Sequence, residues 1–523
     1  MSVRARRVVA WALLPLLAVW HLPTASGAEG DFAGLFGGTG FDQARVVVRD
    51  AAGDLFLAGE TFSADFPTTP GAFQGSHAGT MDSFVAKVAS NGSRLLIATL
   101  LGGSGRDEIL SLALDDDGYV YAAGTTDSPD FPTTPGAYDG NVSSGDAFVV
   151  KFSPDLETLV YGTVLGGSSI DEALAVAVDA DGSAYLAGET FSADFPTTPG
   201  AFDRSNHGGW DAFAAKLNPA GSDLVYSTYL GGLFFDAGDA IALDETGAAY
   251  VAGFTGSSDF PSTPDAFQTR VAGGTDAFVV KLSPAGDAIL FGTFLGGVSG
   301  EESWSLERTA DGSLFLVGQT SSSSFPTTPG AFDRTYDGIG DAFIAKFDPD
   351  GRRLAYASYL GGIGADTATS IALDPAGAMY VAGFTSSEDF PTRPNAADAS
   401  YGRGGDAFLV KVSPDGSGLV YATFLGGIDS DVANSVVLDE SGVAVVAGRT
   451  NSTDFPATVG SFGPGYRGGG DAFLVRLSIP AESGPWTPFV IASLAAAVAV
   501  SVAFAVLLIR RRRARMRERP PPS

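Results

Sequence analysis

The chain has 523 residues, with 60 acidic against 31 basic side chains, 69 glycines and no cysteine. At 45% hydrophobic and 11% aromatic it can bury a large core, which excludes a disordered chain, and its glycines lack the strict triplet of collagen. Zero cysteine excludes disulfide scaffolds, thiolate metal sites and iron–sulfur clusters, and only three histidines are available for imidazole chemistry.

Residues 1–28 carry Arg4, Arg6 and Arg7, an apolar run from Val8 to Trp20, and the small residues Ala25, Ser26, Gly27 and Ala28. This pattern predicts a secretory signal peptide cleaved after Ala28, because the apolar run is too short to span a bilayer. Near the other end, Phe489 to Ile509 is an unbroken apolar stretch of 21 residues, about 31 Å as a helix, followed by seven arginines from Arg510 to Arg519. It predicts a transmembrane helix over 489–509 with a basic cytoplasmic tail, 510–523, and a short linker, 479–488. The exported part, 29–485, holds 21 basic and 59 acidic residues, a net of −38, which repels nucleic acid and attracts cations or basic partners.

Between these ends a Gly-Gly pair recurs at Gly37, Gly102, Gly166, Gly231, Gly296, Gly361 and Gly426, a period of 64 or 65 residues. Each pair is followed by an acid, an alternating strand, D-x-x-G, a strand ending near Gly, a D-F-P-T-T-P string and D-A-F-x-x-K. Period-two alternation gives four strands per repeat, in repeat three Ala173 to Val178, Ala184 to Glu189, Ala212 to Leu217 and Leu224 to Leu230. The first strand is built of small residues (Ala173, Ala175, Ala177) and the later ones carry aromatics (Phe213, Tyr226, Tyr229). Sheets packed radially converge at an axis, so inner strands must be small, and the expectation is an all-β, seven-bladed β-propeller over 29–478. A parallel solenoid fits less well, since its coils lack four antiparallel turn signals. Repeat seven stops after its third strand, Asp471 to Ser478, while Asp31 to Phe36 precedes the first Gly-Gly pair as an unattached fourth strand. Pairing these two would close the ring and leave no open edge.

The strings Tyr229–Gly232 (Y-L-G-G), Asp194–Pro199 (D-F-P-T-T-P) and Asp276–Leu282 (D-A-F-V-V-K-L) resemble the SBBP-type bacterial and archaeal β-propeller repeats. The resemblance covers essentially 31–478. It implies the propeller fold and an association with exported and surface proteins, and it brings no catalytic motif.

Acids recur where the chain enters each inner strand: Asp42, Asp107, Asp171, Asp236, Glu301, Asp366 and Asp431. A second set, Asp65, Asp130, Asp194, Asp259, Asp389 and Asp454, lies in the long connection between strands two and three, where blade five has Ser324. Converging on one rim, these carboxylates could take a cation, Ca2+ by their oxygen chemistry, or a basic peptide. Equally, each acid could cap a turn within its own blade. The six lysines share one repeat position, Lys87, Lys151, Lys216, Lys281, Lys346 and Lys411, with Arg476 in the seventh copy, and are expected to pair with a repeated acid between blades. The phenylalanines of D-A-F are expected to be core. Symmetry breaks in the inner strand of blade five, which reads Glu301, Glu302, Ser303, Trp304. Where Trp304 stands, the other blades have Arg45, Leu110, Leu174, Asp239, Thr369 and Asn434, the variability expected of a channel-lining position. Trp304, Glu301 and Glu302 are therefore the candidate ligand contacts.

Catalytic motifs are absent: His77 and His207 lack metal-ligand spacing, and no nucleophile elbow, P-loop or dinucleotide fingerprint occurs. The chain is expected to be a membrane-anchored extracytoplasmic binding, adhesion or scaffold module for a protein or polysaccharide, with no enzymatic activity. Its alternative is a carbohydrate-active hydrolase or lyase using rim carboxylates.

Overall fold

In the computed structural model, residues 31–463 and 465–479 are described. The expected signal peptide, the membrane-spanning stretch 489–509, the basic tail and all but Ile479 of the linker lie outside them. Every named element among the described residues is a strand, and no helix there is long and apolar enough to cross a membrane.

Twenty-eight strands form seven four-stranded antiparallel sheets, with strands named a to d here from the axis outward, in sequence order in six of them. The inner strands a are Asp42–Arg49, Asp107–Leu114, Asp171–Val178, Asp236–Leu243, Glu301–Arg308, Asp366–Leu373 and Asp431–Leu438. In blade three the others are Ala184–Thr190 (b), Asp211–Leu217 (c) and Leu224–Leu230 (d), within one or two residues of expectation. Strands b and c are buried almost throughout, because both faces press against neighbouring blades, so these segments read as near-continuous apolar runs. Each core is shared by two blades. Tyr121, Ala123 and Val149 of blade two, for example, pack with Ala173, Leu186 and Phe213 of blade three.

The first strand, Phe32–Phe36, pairs antiparallel with Asp471–Leu477, Phe32 opposite Arg476 and Phe36 opposite Ala472, and so becomes strand d of blade seven. Phe32 and Phe36 enter the core shared by blades seven and one. The ring is thus closed by both ends of the propeller segment.

The D-F-P-T-T-P connection explains how the outer strands escape edge pairing. In blade three it runs down strand d, with Thr198 N–H donating to Ser227 O at 3.1 Å and Tyr229 N–H to Asp203 O at 3.1 Å. Phe202 N–H then reaches the next blade, donating to Gly286 O at 2.9 Å. The loop therefore covers an exposed edge and hooks adjacent blades together. Its phenylalanine lies on that of D-A-F in all seven blades, with ring centroids 4.4–4.9 Å apart, which makes both residues core.

Candidate functional site

Each inner strand has a β-bulge at the same place, between Ala44 and Val46 in blade one and between Ser303 and Ser305 in blade five. The extra residue is the variable one. A bulge re-aims its side chain, and here Arg45, Leu110, Leu174, Asp239, Trp304, Thr369 and Asn434 all line an axial cavity of about 520 Å3. Bulging drives the strand a backbone against strand b, where a Cβ at Gly188 would collide with the carbonyl oxygen of Glu172. That close approach accounts for the glycine near the end of every second strand.

Trp304 is 38% exposed within this ring. Beside it in strand a, Glu302 accepts a hydrogen bond from Gln319 Nε2 at 2.7 Å, and Gln319 Oε1 accepts one from Thr367 Oγ1 at 3.0 Å. Glu301 faces the other way. It is fully buried, accepting from Thr320 Oγ1 at 2.7 Å and Gly297 N–H at 2.8 Å, and burial pushes its carboxyl up to about 7.

Charge in the cavity is distributed unevenly. In blade one, the Arg45 guanidinium lies between Glu60, at 3.0 Å, and Glu108 of the next blade, at 2.5 Å. In blade four the same bulge position carries Asp239, whose Oδ2 is buried and accepts no hydrogen bond. Burial and the charges of Glu189 and Glu302, from the blades on either side, push the Asp239 carboxyl up. Glu189 is itself pushed up to about 7, by burial and by Glu172, its partner across the a–b ladder. Arg449 lies on the opposite side, held down by burial and by Arg45.

The repeated rim acids have a different setting. Asp171 is fully buried and accepts from Gly167 N–H at 2.7 Å, from Ser192 Oγ at 2.9 Å and from Thr190 Oγ1. Asp42, Asp107, Asp366 and Asp431 repeat the pattern with the corresponding glycine and serine, as does Asp236. Each acid ties the Gly-Gly turn to the end of strand b in its own blade through Oδ2, or Oε2 in Glu301; Asp42, Asp107 and Asp171 also use Oδ1 on a strand b threonine, whereas Oδ1 of Asp236, Asp366 and Asp431 is buried and accepts no hydrogen bond. Among the described residues, no group of three or more His, Asp or Glu is placed to hold a metal ion. The exposed set acts likewise: Asp65 Oδ1 accepts from Thr39 N–H at 2.8 Å, and in blade five Ser324 Oγ takes over, accepting from Val298 N–H at 3.1 Å.

The lysines do form ion pairs, but within a blade and not between blades as expected. Lys216 meets Asp179 of its own a–b turn at 3.0 Å, Lys281 meets Asp244 at 2.8 Å and Lys411 meets Asp374 at 3.0 Å. The D-x-x-G acid lies beside strand c once the a–b hairpin turns back. In blade five that acid is Thr309, and Lys346 lies instead 4.8 Å from the Phe315 ring. His77 and His207 serve separate contacts, to Thr61 O and to Asp203.

Sequence reasoning located Trp304 and Glu302 but missed Asp239, Glu189 and Arg45 as a charged set. The available signal was the next-to-last position of strand b, which reads Glu60, Thr125, Glu189, Phe254, Gln319, Phe384 and Arg449 and is as variable as the bulge.

The SBBP β-propeller repeat model matches residues 97–132. No curated protein matches the chain. Among solved structures, a protein of unknown function from Dyadobacter fermentans is 12% identical, covers 86% of this chain and 98% of its own, and gives a TM-score of 0.39. Sqt1 of Chaetomium thermophilum, solved bound to the N-terminus of ribosomal protein L10, is 12% identical over 86% of this chain and 100% of its own, with a TM-score of 0.40.

Proposed function

Taking as premise a propeller that carries the SBBP repeat, we propose that the chain is a membrane-anchored extracytoplasmic binding module whose ligand enters the axial cavity beside Trp304. One observation carries this reading. In a scaffold repeated seven times, the bulge ring is a place where the blades differ, and there an exposed indole stands with the carboxylates of Asp239 and Glu307 around an open volume. The anchor rests on the leader and on the apolar run 489–509 with its arginines. Strand c of blade seven begins at Asp471, on the rim of the buried acids, and ends at Leu477 on the opposite rim. An anchor following so soon would present the acidic rim away from the membrane.

The rival reading, a carbohydrate-active hydrolase or lyase, is favoured by one feature, the Glu172–Glu189 cross-strand pair with both carboxyls pushed up. Two carboxyls a few ångströms apart can serve as acid and base. Glu301, buried and hydrogen-bonded, is no longer a candidate for that role.

The test is to probe glycan and peptide arrays with the full chain in detergent and with its Trp304→Ala variant. Spots retained by the wild type and lost by the variant are expected. Identical patterns from the two proteins would refute a channel site, and release of sugar from the glycan spots would favour the enzyme.

A further inference from the structure

We infer that the axial cavity at Asp239, with Glu189 and Glu302 of the neighbouring blades close to that carboxylate, is a receptor for a guanidinium group carried by the ligand, with Trp304 as its aromatic wall. This rests on the channel reading above and names the chemistry of what the channel takes.

The propeller supplies its own template. At the bulge of blade one, a guanidinium sits between a strand b glutamate of its own blade and a strand a glutamate of the next, Glu60 and Glu108. The guanidinium makes a charge-assisted bond to each carboxylate there. Blade four has acids where blade one has that cation. Asp239 takes the place of Arg45, Glu189 and Glu302 flank it from both neighbouring blades, and no cation among the described residues pairs with any of the three. The buried Asp239 Oδ2 has no donor at all, and an unsatisfied buried acceptor is costly unless a ligand brings one. The adjacent bulge presents Trp304 to the same cavity, and a guanidinium stacks on an indole face while its edge meets carboxylates. The planar fork suits several acceptors better than a compact ammonium does.

Asp239 feels the charges of Glu189 and Glu302, Glu189 that of Glu172, and Glu172 those of Glu108, Arg106 and Arg45, while Glu307, which lines the same cavity, is pushed up to about 7 by burial. A cation holds these acids in their ionised form, so affinity should rise as pH increases from about 5.5 to 8.

The experiment uses the full chain in detergent, with L-arginine amide as the probe and L-citrulline amide, whose side chain is the neutral isostere, as control. Calorimetry should show one saturable arginine amide site per chain, with citrulline amide at least about tenfold weaker. Binding should alter tryptophan fluorescence in the wild type and not in Trp304→Phe. Asp239→Asn should weaken binding about tenfold or more at an unchanged fold. Asp239→Arg, which places a guanidinium beside Glu302 as Arg45 stands beside Glu108, should abolish binding and raise the melting temperature. Equal affinity for the two amides, or full affinity in a folded Asp239→Asn chain, would overturn the inference. An array glycan without a cation that needs Trp304 would also overturn it, and would leave the channel reading intact.

Discussion

A chain lacking Phe32–Phe36 is expected to lose the cooperative melting of the propeller. This short strand is the outer strand of blade seven, and its apolar side chains are at most 5% exposed. Phe36 packs edge-on against Phe66 at 4.8 Å and Phe84 at 5.6 Å, so it binds blade one as well as blade seven. Burial of Phe32, Leu35 and Phe36 contributes about 2–3 kcal/mol each, a total comparable to the net stability of many domains. Deletion would also strip Asp471–Leu477 of its ladder partner and leave an open sheet edge. Phe36→Ala alone should cost about 3–5 kcal/mol. Calorimetric melting with gel filtration checks both variants. A circular permutant that places residues 31–36 after Ser478 should recover the wild-type transition, because Asp31 Oδ1 already accepts from Ser478 N–H at 2.9 Å. A deletion variant that melts like the intact chain would refute the closure.

The second large effect concerns the buried acid at the head of each inner strand. Asp171→Ala would leave Gly167 N–H and the hydroxyls of Thr190 and Ser192 without their acceptor, at a cost of about 2–4 kcal/mol. The same acids set a pH dependence. Burial pushes Asp171, Asp236 and Asp431 up to about 6 and Glu301 up to about 7, against ordinary values of 3.8 and 4.5. The folded chain therefore holds more protons than the unfolded one between about pH 4 and 7. Their contribution to stability is fully present below the unfolded values and is lost as pH rises through 6–7. The melting temperature should consequently rise by several degrees from pH 8 to pH 5.5. General repulsion in a segment of net charge −38 has the same sign but is screened by salt, whereas the buried contribution persists in 0.5 M salt. A melting temperature highest at pH 8 in high salt would contradict this assignment.

Blade number, strand order and closure were legible in the sequence because the repeat states each of them seven times and the missing fourth strand of repeat seven appears before the first Gly-Gly pair. Alternation and side-chain size then decide which strand is inner. The rim acids were legible as positions but not as roles. Burial decides between turn-capping and cation binding, and Asp171 reads the same in the sequence whether its oxygens face a turn or an opening. The lysine pairs were legible as pairs but not as contacts within a blade, for a related reason: sequence spacing shows that Lys216 and Asp179 recur together, and only hairpin geometry places them in one blade. The bulge was invisible to a period-two reading, which expects alternation to continue through Leu174 and Asp239; variability alone marked that position as channel-lining.

Under the proposed function the seven repeated carboxylates are scaffold, and recognition belongs to the asymmetric cavity. Calcium titration of the full chain, followed by calorimetry and by melting temperature, tests this most directly. The prediction is no saturable calcium site at millimolar concentrations and an unshifted melting temperature. A saturable site that raises the melting temperature and disappears in Asp171→Asn would place function on the acid ring and contradict the account.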